Sequence, residues 1–311
     1  MVDRVTVVIP AWGRYTALLA EALTSVRAAG EHVRVVVVDN ANAPVLSGLD
    51  GCDVIRSEAE LSRGAARNLG LSRVNTEYVV FLDADDLLLP LALDRLVAEL
   101  DARPRSPALI GRIVEPSGAP YPRPRALTVA LGRRPRLLAW ANAAWSLLPM
   151  QGCTLMRTEA VRAVGGYGDR SVAEDRVLGA SLAFAGPIAF SRDPTLVYRA
   201  RPDSPGVVLP GRRTLLDNAA AVRARLLQAA LITRVESALL AAAQATAVVA
   251  RCLLWRLSYR TPRTGAAGTL MLDPRSGTAG WHGRISDPAV PSAAGQRRVP
   301  ARASTRPPDH G

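Results

Sequence analysis

Three short runs of β-branched and aromatic residues constrain the architecture most, because each is apolar along almost its whole length and two of them stop on polar side chains. They are Val5 to Pro10, His32 to Asp39 with four consecutive valines, and Tyr78 to Leu82 followed by Asp83. A strand with one wet face alternates apolar and polar residues, whereas a strand covered on both faces does not. The runs therefore predict central strands with helices packed on both sides. Tyr15 to Ala29, Ser62 to Leu71 and Pro90 to Leu100 read as those helices, and Asp53 to Arg56 as a further short strand. Strand and helix signals alternating from residue 5 to about residue 115 are the pattern of a mainly parallel α/β sheet.

In open sheets of this class the ligand crevice lies beyond the carboxyl ends of the strands. Asp39 and the Asp83 to Asp86 run close two of the predicted strands, so the pattern brings them to one rim. Aspartate at a strand-to-helix turn also caps the helix that follows, and capping alone would account for Asp86. Asp83 and Asp85 are more informative. Two carboxylates one residue apart, on a turn after a rigid strand, can together hold a hard divalent cation and the diphosphate it bridges. Mg²⁺ or Mn²⁺ suits such oxygen donors and neutralises charge on a departing phosphate.

Beyond residue 115 the signals thin out. Pro116 to Pro135 is rich in Pro, Arg and Gly and reads as a long loop bordering the pocket. Gly152 to Met156 reads as a strand and Thr158 to Val164 as a helix stopped by Gly165-Gly166. Another helix begins near Glu174, and Ile188 to Phe190 and Thr195 to Arg199 read as closing strands. Three regions follow: a main domain over 1–211, a helical appendage over 212–259, and a tail over 260–311. In the appendage Leu215, Ala219, Val222, Leu226 and Ala230 share one helix face. Ser237 to Ala250 is then almost wholly apolar and is followed by Arg251, Trp255 and Arg256. That stretch is shorter than the roughly 20 residues of a membrane span, so it predicts either packing on the main domain or a helix resting on anionic lipid. The tail is dominated by Pro, Gly, Arg, Ser and Ala without apolar periodicity, which predicts disorder.

Composition removes several functions. The net charge is +12, and all 39 basic residues are arginine, a bias that GC-rich coding explains. A basic surface favours phosphate-bearing substrates, anionic lipid or nucleic acid without choosing among them. With no helix-turn-helix, zinc finger or aromatic RNA-binding motif, a specific nucleic-acid partner is not expected. No G-x-G-x-x-G follows the first strand, which excludes a dinucleotide-binding dehydrogenase. Cys52, Cys153 and Cys252 form no C-x-x-C pair, against a zinc knuckle or a disulfide framework and in favour of a reducing cytosol. Val5 to Ile9 is too brief for a signal-peptide core. The expectation is a cytoplasmic protein, peripheral at the inner face of the membrane if the appendage meets lipid.

Several separated segments, in order, resemble glycosyltransferase family 2. They are Val-Val-Ile-Pro-Ala-Trp-Gly-Arg at 7–14, Val-Val-Val-Asp-Asn-Ala at 36–41, Arg-Gly-Ala-Ala-Arg-Asn-Leu-Gly at 63–70 and Leu-Asp-Ala-Asp-Asp at 82–86. A second cluster, Gly165-Gly166-Tyr167-Gly168-Asp169 with Glu174-Asp175, is similar to the family's Gly-Gly-Tyr/Phe turn and Glu-Asp helix start. The resemblance implies the GT-A fold, a Rossmann-like α/β sheet, and transfer of one sugar with inversion from a nucleoside-diphosphate sugar, most simply a UDP-sugar, to an unidentified acceptor. It further implies donor contacts from Pro10, Asp39, Arg67, Asp83 and Asp85, a metal ion on Asp83 and Asp85, and Asp175 as the base with Glu174 beside it. Acidic residues also favour a helix's first turn through its dipole alone. The Tyr198-Arg199-Ala200-Arg201-Pro202-Asp203-Ser204 segment departs from the family pattern at Arg201, where histidine is usual. Arginine cannot ligate a cation, so protein ligands would come from Asp83 and Asp85. Trp12, Gly13 and Asn42-Ala43-Pro44 also depart from the pattern. The competing reading is a non-catalytic GT-A-like scaffold at the membrane surface.

Overall fold

The computed structural model describes residues 2–121, 126–168, 173–199, 211–260, 269–272 and 279–282. Eight strands form one mixed sheet. Its first half is β1 (Val5–Ala11), β2 (Val33–Asn40), β3 (Cys52–Ser57) and β4 (Tyr78–Phe81), ordered β3-β2-β1-β4 and mutually parallel. β1 and β4 are buried at every position, as their almost wholly apolar sequences require; the one polar side chain, Thr6, is hydrogen-bonded to Thr76. The helices between them are α1 (Leu19–Ala29), entered through a 3-10 turn over Gly13–Leu18, and α2 (Arg63–Leu71). Ser62 caps α2, accepting a hydrogen bond from the Ala65 amide at 3.2 Å.

The second half continues the sheet as β7-β6-β8-β5, where β5 is Leu87–Leu88, β6 Ala108–Val114, β7 Thr154–Arg157 and β8 Ala189–Val197. β7 runs antiparallel to both β4 and β6, so the sheet is parallel at one end and mixed at the other. Its helices are α3 (Ala92–Asp101), α4 (Ala126–Leu131), α5 (Pro135–Trp145), α6 (Thr158–Ala163) and α7 (Glu174–Ala185).

Two sequence readings are corrected here. The stretch from Pro116 to Pro135 holds α4, and Pro135 opens α5, an 11-residue helix; proline at a first helical position lacks only an amide that would be unsatisfied anyway. The two closing strands are one, β8, with Pro194 inside it. The proline is accommodated because the β6–β8 register shifts around Arg112, where Pro194 is paired.

After β8 come α8 (Arg212–Gln228) and α9 (Arg234–Arg260), an antiparallel pair. They pack on α5 and α7 through a second apolar cluster that includes Ala143, Val177, Ala180, Val222, Leu226 and Leu240. Residues 1–262 thus form one compact unit, with the boundary read at 211 inside it. Arg263–Gly311 is a separate unit, in which Thr269–Leu272 pairs antiparallel with Ala279–His282; the rest of the expected disordered tail lies outside the described residues.

Candidate active site

The site is assembled at the carboxyl ends of β1, β2 and β4, neighbours in the sheet. β1 carries Pro10, buried and paired in register with Val38, and ends opposite Asp39. Asp39 has no exposed surface, and four protein donors occupy its carboxylate. Oδ1 accepts from the Asn42 amide at 3.0 Å and the Asn42 side chain at 2.6 Å; Oδ2 accepts from the Leu46 amide at 3.2 Å and Arg56 Nη1 at 2.7 Å. Burial alone would raise its pKa, but these donors outweigh burial and hold it below the ordinary carboxylate value. Asn42 also donates to the Ala11 carbonyl and accepts from the Gly13 amide, each at 2.8 Å, so one side chain ties together the loops after β1 and β2. The sequence marked Asn42 only as a departure from the family pattern, because its partners lie 31 and 29 residues away.

The centre of the site is Arg67, 2% exposed and projecting from α2. Its Nη2 donates to Asp83 Oδ1 at 2.6 Å and its Nη1 to Glu174 Oε1 at 2.9 Å. The guanidinium lies over the Tyr167 ring, 5.2 Å from its centroid. Burial disfavours its charge, yet Asp83, Tyr167 and Glu174 together raise the pKa above that of free arginine, so it stays charged. Arg67 therefore joins the acidic turn after β4 to the acidic start of α7, which lie far apart in sequence. A Coulomb pair at this depth is worth much more than at a surface, and its arginine fork is pre-shaped for two carboxylates.

Tyr167 is held for this purpose. Asn68, next to Arg67, donates to the Tyr167 carbonyl at 2.8 Å and accepts from the Tyr167 amide at 2.9 Å. The preceding Gly166 has φ +66°, and a Cβ there would lie 2.5 Å from Asn68 Oδ1, so only glycine fits this turn. The Tyr167 ring meets Phe81 of β4 edge-on, with centroids 4.9 Å apart.

The turn after β4 gathers Asp83, Asp85 and Asp86, each of which offers one carboxylate oxygen within 4.8 Å of the other two. Oxygens around one octahedral Mg²⁺ or Mn²⁺ are separated by at most about 4 Å, twice the metal–oxygen distance. Small side-chain rotations would close the cluster on such an ion, and all-oxygen donors are the set that hard cations take. Asp86 is buried, and burial, then its neighbours Asp83 and Asp85, push its pKa well above the usual range. Arg199, just beyond β8, clamps the turn: its amide donates to Asp86 Oδ1 at 3.2 Å, its Nε to the Asp85 carbonyl at 2.5 Å, and its Nη1 pairs with Glu21. The sequence drew attention to Arg201, which with Asp169 and Ser204 lies outside the described residues. The clamp falls two positions earlier.

Glu174 and Asp175 open α7 and differ in surroundings. Glu174 is buried against Arg67; burial first and Asp175 second raise its pKa to about 7 despite the arginine. Asp175 is half-buried, and its Oδ1 accepts from the Arg176 amide at 2.7 Å.

The sequence model of Glycosyl transferase family 2 matches residues 6–165, spanning β1 through α6 and the acidic turn. The chain belongs to glycosyltransferase family 2. As such it is an enzyme, a glycosyltransferase, rather than the scaffold that was the competing reading. No curated protein sequence matches it significantly. Solved structures share the fold. Residues 1–349 of S. aureus TarS in complex with UDP-GlcNAc superpose with a TM-score of 0.56 at 16% identity, covering 78% of this chain and 71% of that one. The mannosyltransferase PcManGT from Pyrobaculum calidifontis, in complex with GDP-Man and Mn²⁺, gives a TM-score of 0.52 at 18% identity, covering 86% of this chain and 77% of that one. The sheet is accordingly of the GT-A type, with an acidic cluster able to hold a cation.

Proposed function

We propose that this glycosyltransferase moves a single sugar from a UDP-sugar to an acceptor hydroxyl, with inversion and with help from Mn²⁺ or Mg²⁺ on Asp83 and Asp85. The observation that carries the reading is Arg67, which couples the acidic turn of β4 to the acidic start of α7. The two chemical jobs of such a transfer, steadying the leaving diphosphate and taking a proton from the acceptor, call for acids on opposite sides of one sugar. The cation, when bound, supplies Lewis-acid stabilisation of the diphosphate.

The chain's own residues do the rest. Asp83 and Asp85 would hold the cation that draws in the donor's phosphate end, and Arg199 fixes their turn through Asp86 and the Asp85 carbonyl. Arg67 holds Asp83 in place. Pro10 and the Asn42-braced loops after β1 and β2 form the nucleotide's bed, which Asp39 supports from beneath. A direct contact of Asp39 with the base requires Leu46 or Arg56 to release one of its oxygens. Asp175, more exposed than Glu174, accepts the acceptor's proton as the new glycosidic bond forms. Glu174, locked to Arg67, positions it. TarS with UDP-GlcNAc among the structural relatives supports the choice of UDP. The three cysteines are free thiols, which suits action in the cytoplasm.

Thermal-shift screening of nucleotide sugars with and without Mn²⁺ tests the reading. A UDP-sugar should stabilise the protein only when the cation is present, and Asp85→Ala should abolish that response. An undiminished response in Asp85→Ala would remove Asp85 from the metal site.

A further inference from the structure

α9 carries two opposed faces. Leu240, Gln244, Ala247 and Val248 are buried towards the rest of the unit, and Gln244 donates to the Ala143 carbonyl of α5 at 2.7 Å while accepting from Arg223 of α8. On the other side Val235, Leu239, Ala242, Thr246, Val249 and Leu253 are all exposed, Val235 by 71%, Leu239 by 61%, Val249 by 45% and Leu253 by 53%. At about 100° per residue these six side chains fall within a wedge of about 80°, directly opposite Gln244. Between Arg234 and Arg251 the helix has a single charged residue, Glu236, and it is engaged. It completes a capping box with Thr233, accepting from the Thr233 amide at 2.8 Å, and pairs with Arg136 at 2.8 Å. A stripe about 27 Å long therefore faces outward without a charge, from the same helix whose other face is spoken for.

Arg234–Leu253 is long and apolar enough to cross a membrane by length and composition. Crossing is incompatible with the packing, because it would strip Gln244 and Leu240 from α5 and α8. The helix can meet lipid only sideways, by its outer stripe. The surrounding charge says which lipid. Residues 211–260 contain eight arginines against two acids, Asp217 and Glu236, and Arg212, Arg213 and Arg234 are exposed at the ends of α8 and α9. Two copies meeting at this stripe would bring together two segments of the same net positive charge, whereas an anionic bilayer offers both an apolar interior and the opposite charge.

We propose that the outer stripe of α9 is an in-plane membrane-docking surface, seating the enzyme on anionic phospholipid with Val235, Leu239, Val249 and Leu253 inserted at the headgroup boundary. The proposal is independent of the donor and metal assignments. The sugar-transfer site is part of the same compact unit, so docking would hold that site at the bilayer surface.

Co-sedimentation of the full-length protein with vesicles is the test. Vesicles of phosphatidylcholine with about one third phosphatidylglycerol should carry the protein down, and pure phosphatidylcholine vesicles should not. Leu239→Ser with Val249→Ser removes apolar contact without changing charge, at exposed positions that folding does not need. It should lower partitioning about tenfold with an unchanged melting temperature. Leu127→Ser, an equally exposed leucine on α4, should leave binding intact. Binding that the α9 double variant retains in full would assign the attraction to arginines elsewhere and overturn the proposal. So would a concentration-dependent dimer that the same variant dissolves in the absence of vesicle binding.

Discussion

At the residue scale Arg67 is the side chain on which most depends. Replacing it with alanine leaves Glu174 buried beside Asp175, and Asp83 without its partner. Breaking a buried pair from one side costs about 3 kcal/mol or more, so Arg67→Ala should melt markedly earlier and lose transferase activity. Arg67→Lys keeps the charge but cannot reach two carboxylates with a planar fork, and should recover only part of the stability. Differential scanning fluorimetry and donor turnover measured on both variants check this. Glu174 gives a second, signed expectation. Its folded pKa of about 7 lies above the ordinary glutamate value, so between those two values the folded chain keeps a proton that the unfolded chain has released. Stability from this group is fully present below the ordinary value, falls as pH rises through that window, and is flat above about 7. Glu174→Gln mimics the protonated form and should remove that slope. Melting temperatures of the two proteins followed from about pH 4 to 8 should converge at the acid end and separate as pH rises, with the glutamine variant higher. Parallel curves would place the raised pKa elsewhere.

At the scale of elements, the clearest close approach is α2 against β1 and β2. A Cβ on Gly70 would lie 2.2 Å from Val8 Cγ1 and 3.0 Å from Val38 Cγ2, both of them fully buried side chains. Gly70→Ala must push the helix outward, and overpacking of this kind costs about 1–3 kcal/mol. Because Arg67 and Asn68 ride on the same helix, the variant should also weaken nucleotide-sugar binding, as isothermal titration would show; a loss of stability with unchanged affinity would uncouple α2 from the site. The parallel half of the sheet was legible because its signal is local: short, mostly apolar runs, two of which stop on an aspartate. The acidic turn was legible for the same reason. The other half was less so. The region around Pro135 looks like a loop in composition, and α5 becomes a helix through the apolar faces it shares with α7. Pro194 split β8 in the sequence, since nothing nearby shows that the register of β6 makes room for it. The pairings of Asn42, Asn68 and Arg199 join positions that are distant in the chain, and no spacing rule connects them. Arg67 was visible as a motif residue, but its bridge to Glu174 spans 107 residues and emerges only in the fold.

For the whole molecule, the question is whether α8 and α9 are an attachment or part of the enzyme's core. Their inner faces and the turn between them bury Val222, Leu226, Ile232 and Leu240 on Ala143, Val177 and Ala180, and each large side chain so buried stabilises by about 1.5–3 kcal/mol. Gln244 donates to the Ala143 carbonyl, which Arg176 of α7 also reaches, so α9 joins a hydrogen-bonded junction between α5 and α7. Arg136 of α5 reaches Glu236 of α9 across the same junction. A chain ending at residue 211 would therefore expose the apolar backs of α5 and α7, and α7 begins with Glu174 and Asp175. That truncation should melt well below the full chain, aggregate on concentration and lose transferase activity even though every proposed site residue is still present. A chain ending at Pro262, the limit of the compact unit, should instead match the full-length melting temperature and turnover. The two truncations, compared by scanning calorimetry and donor turnover, separate the possibilities: if the chain ending at 211 melts and turns over like the longer one, α8 and α9 contribute nothing to the catalytic unit, and their packing on α5 and α7 has no energetic consequence.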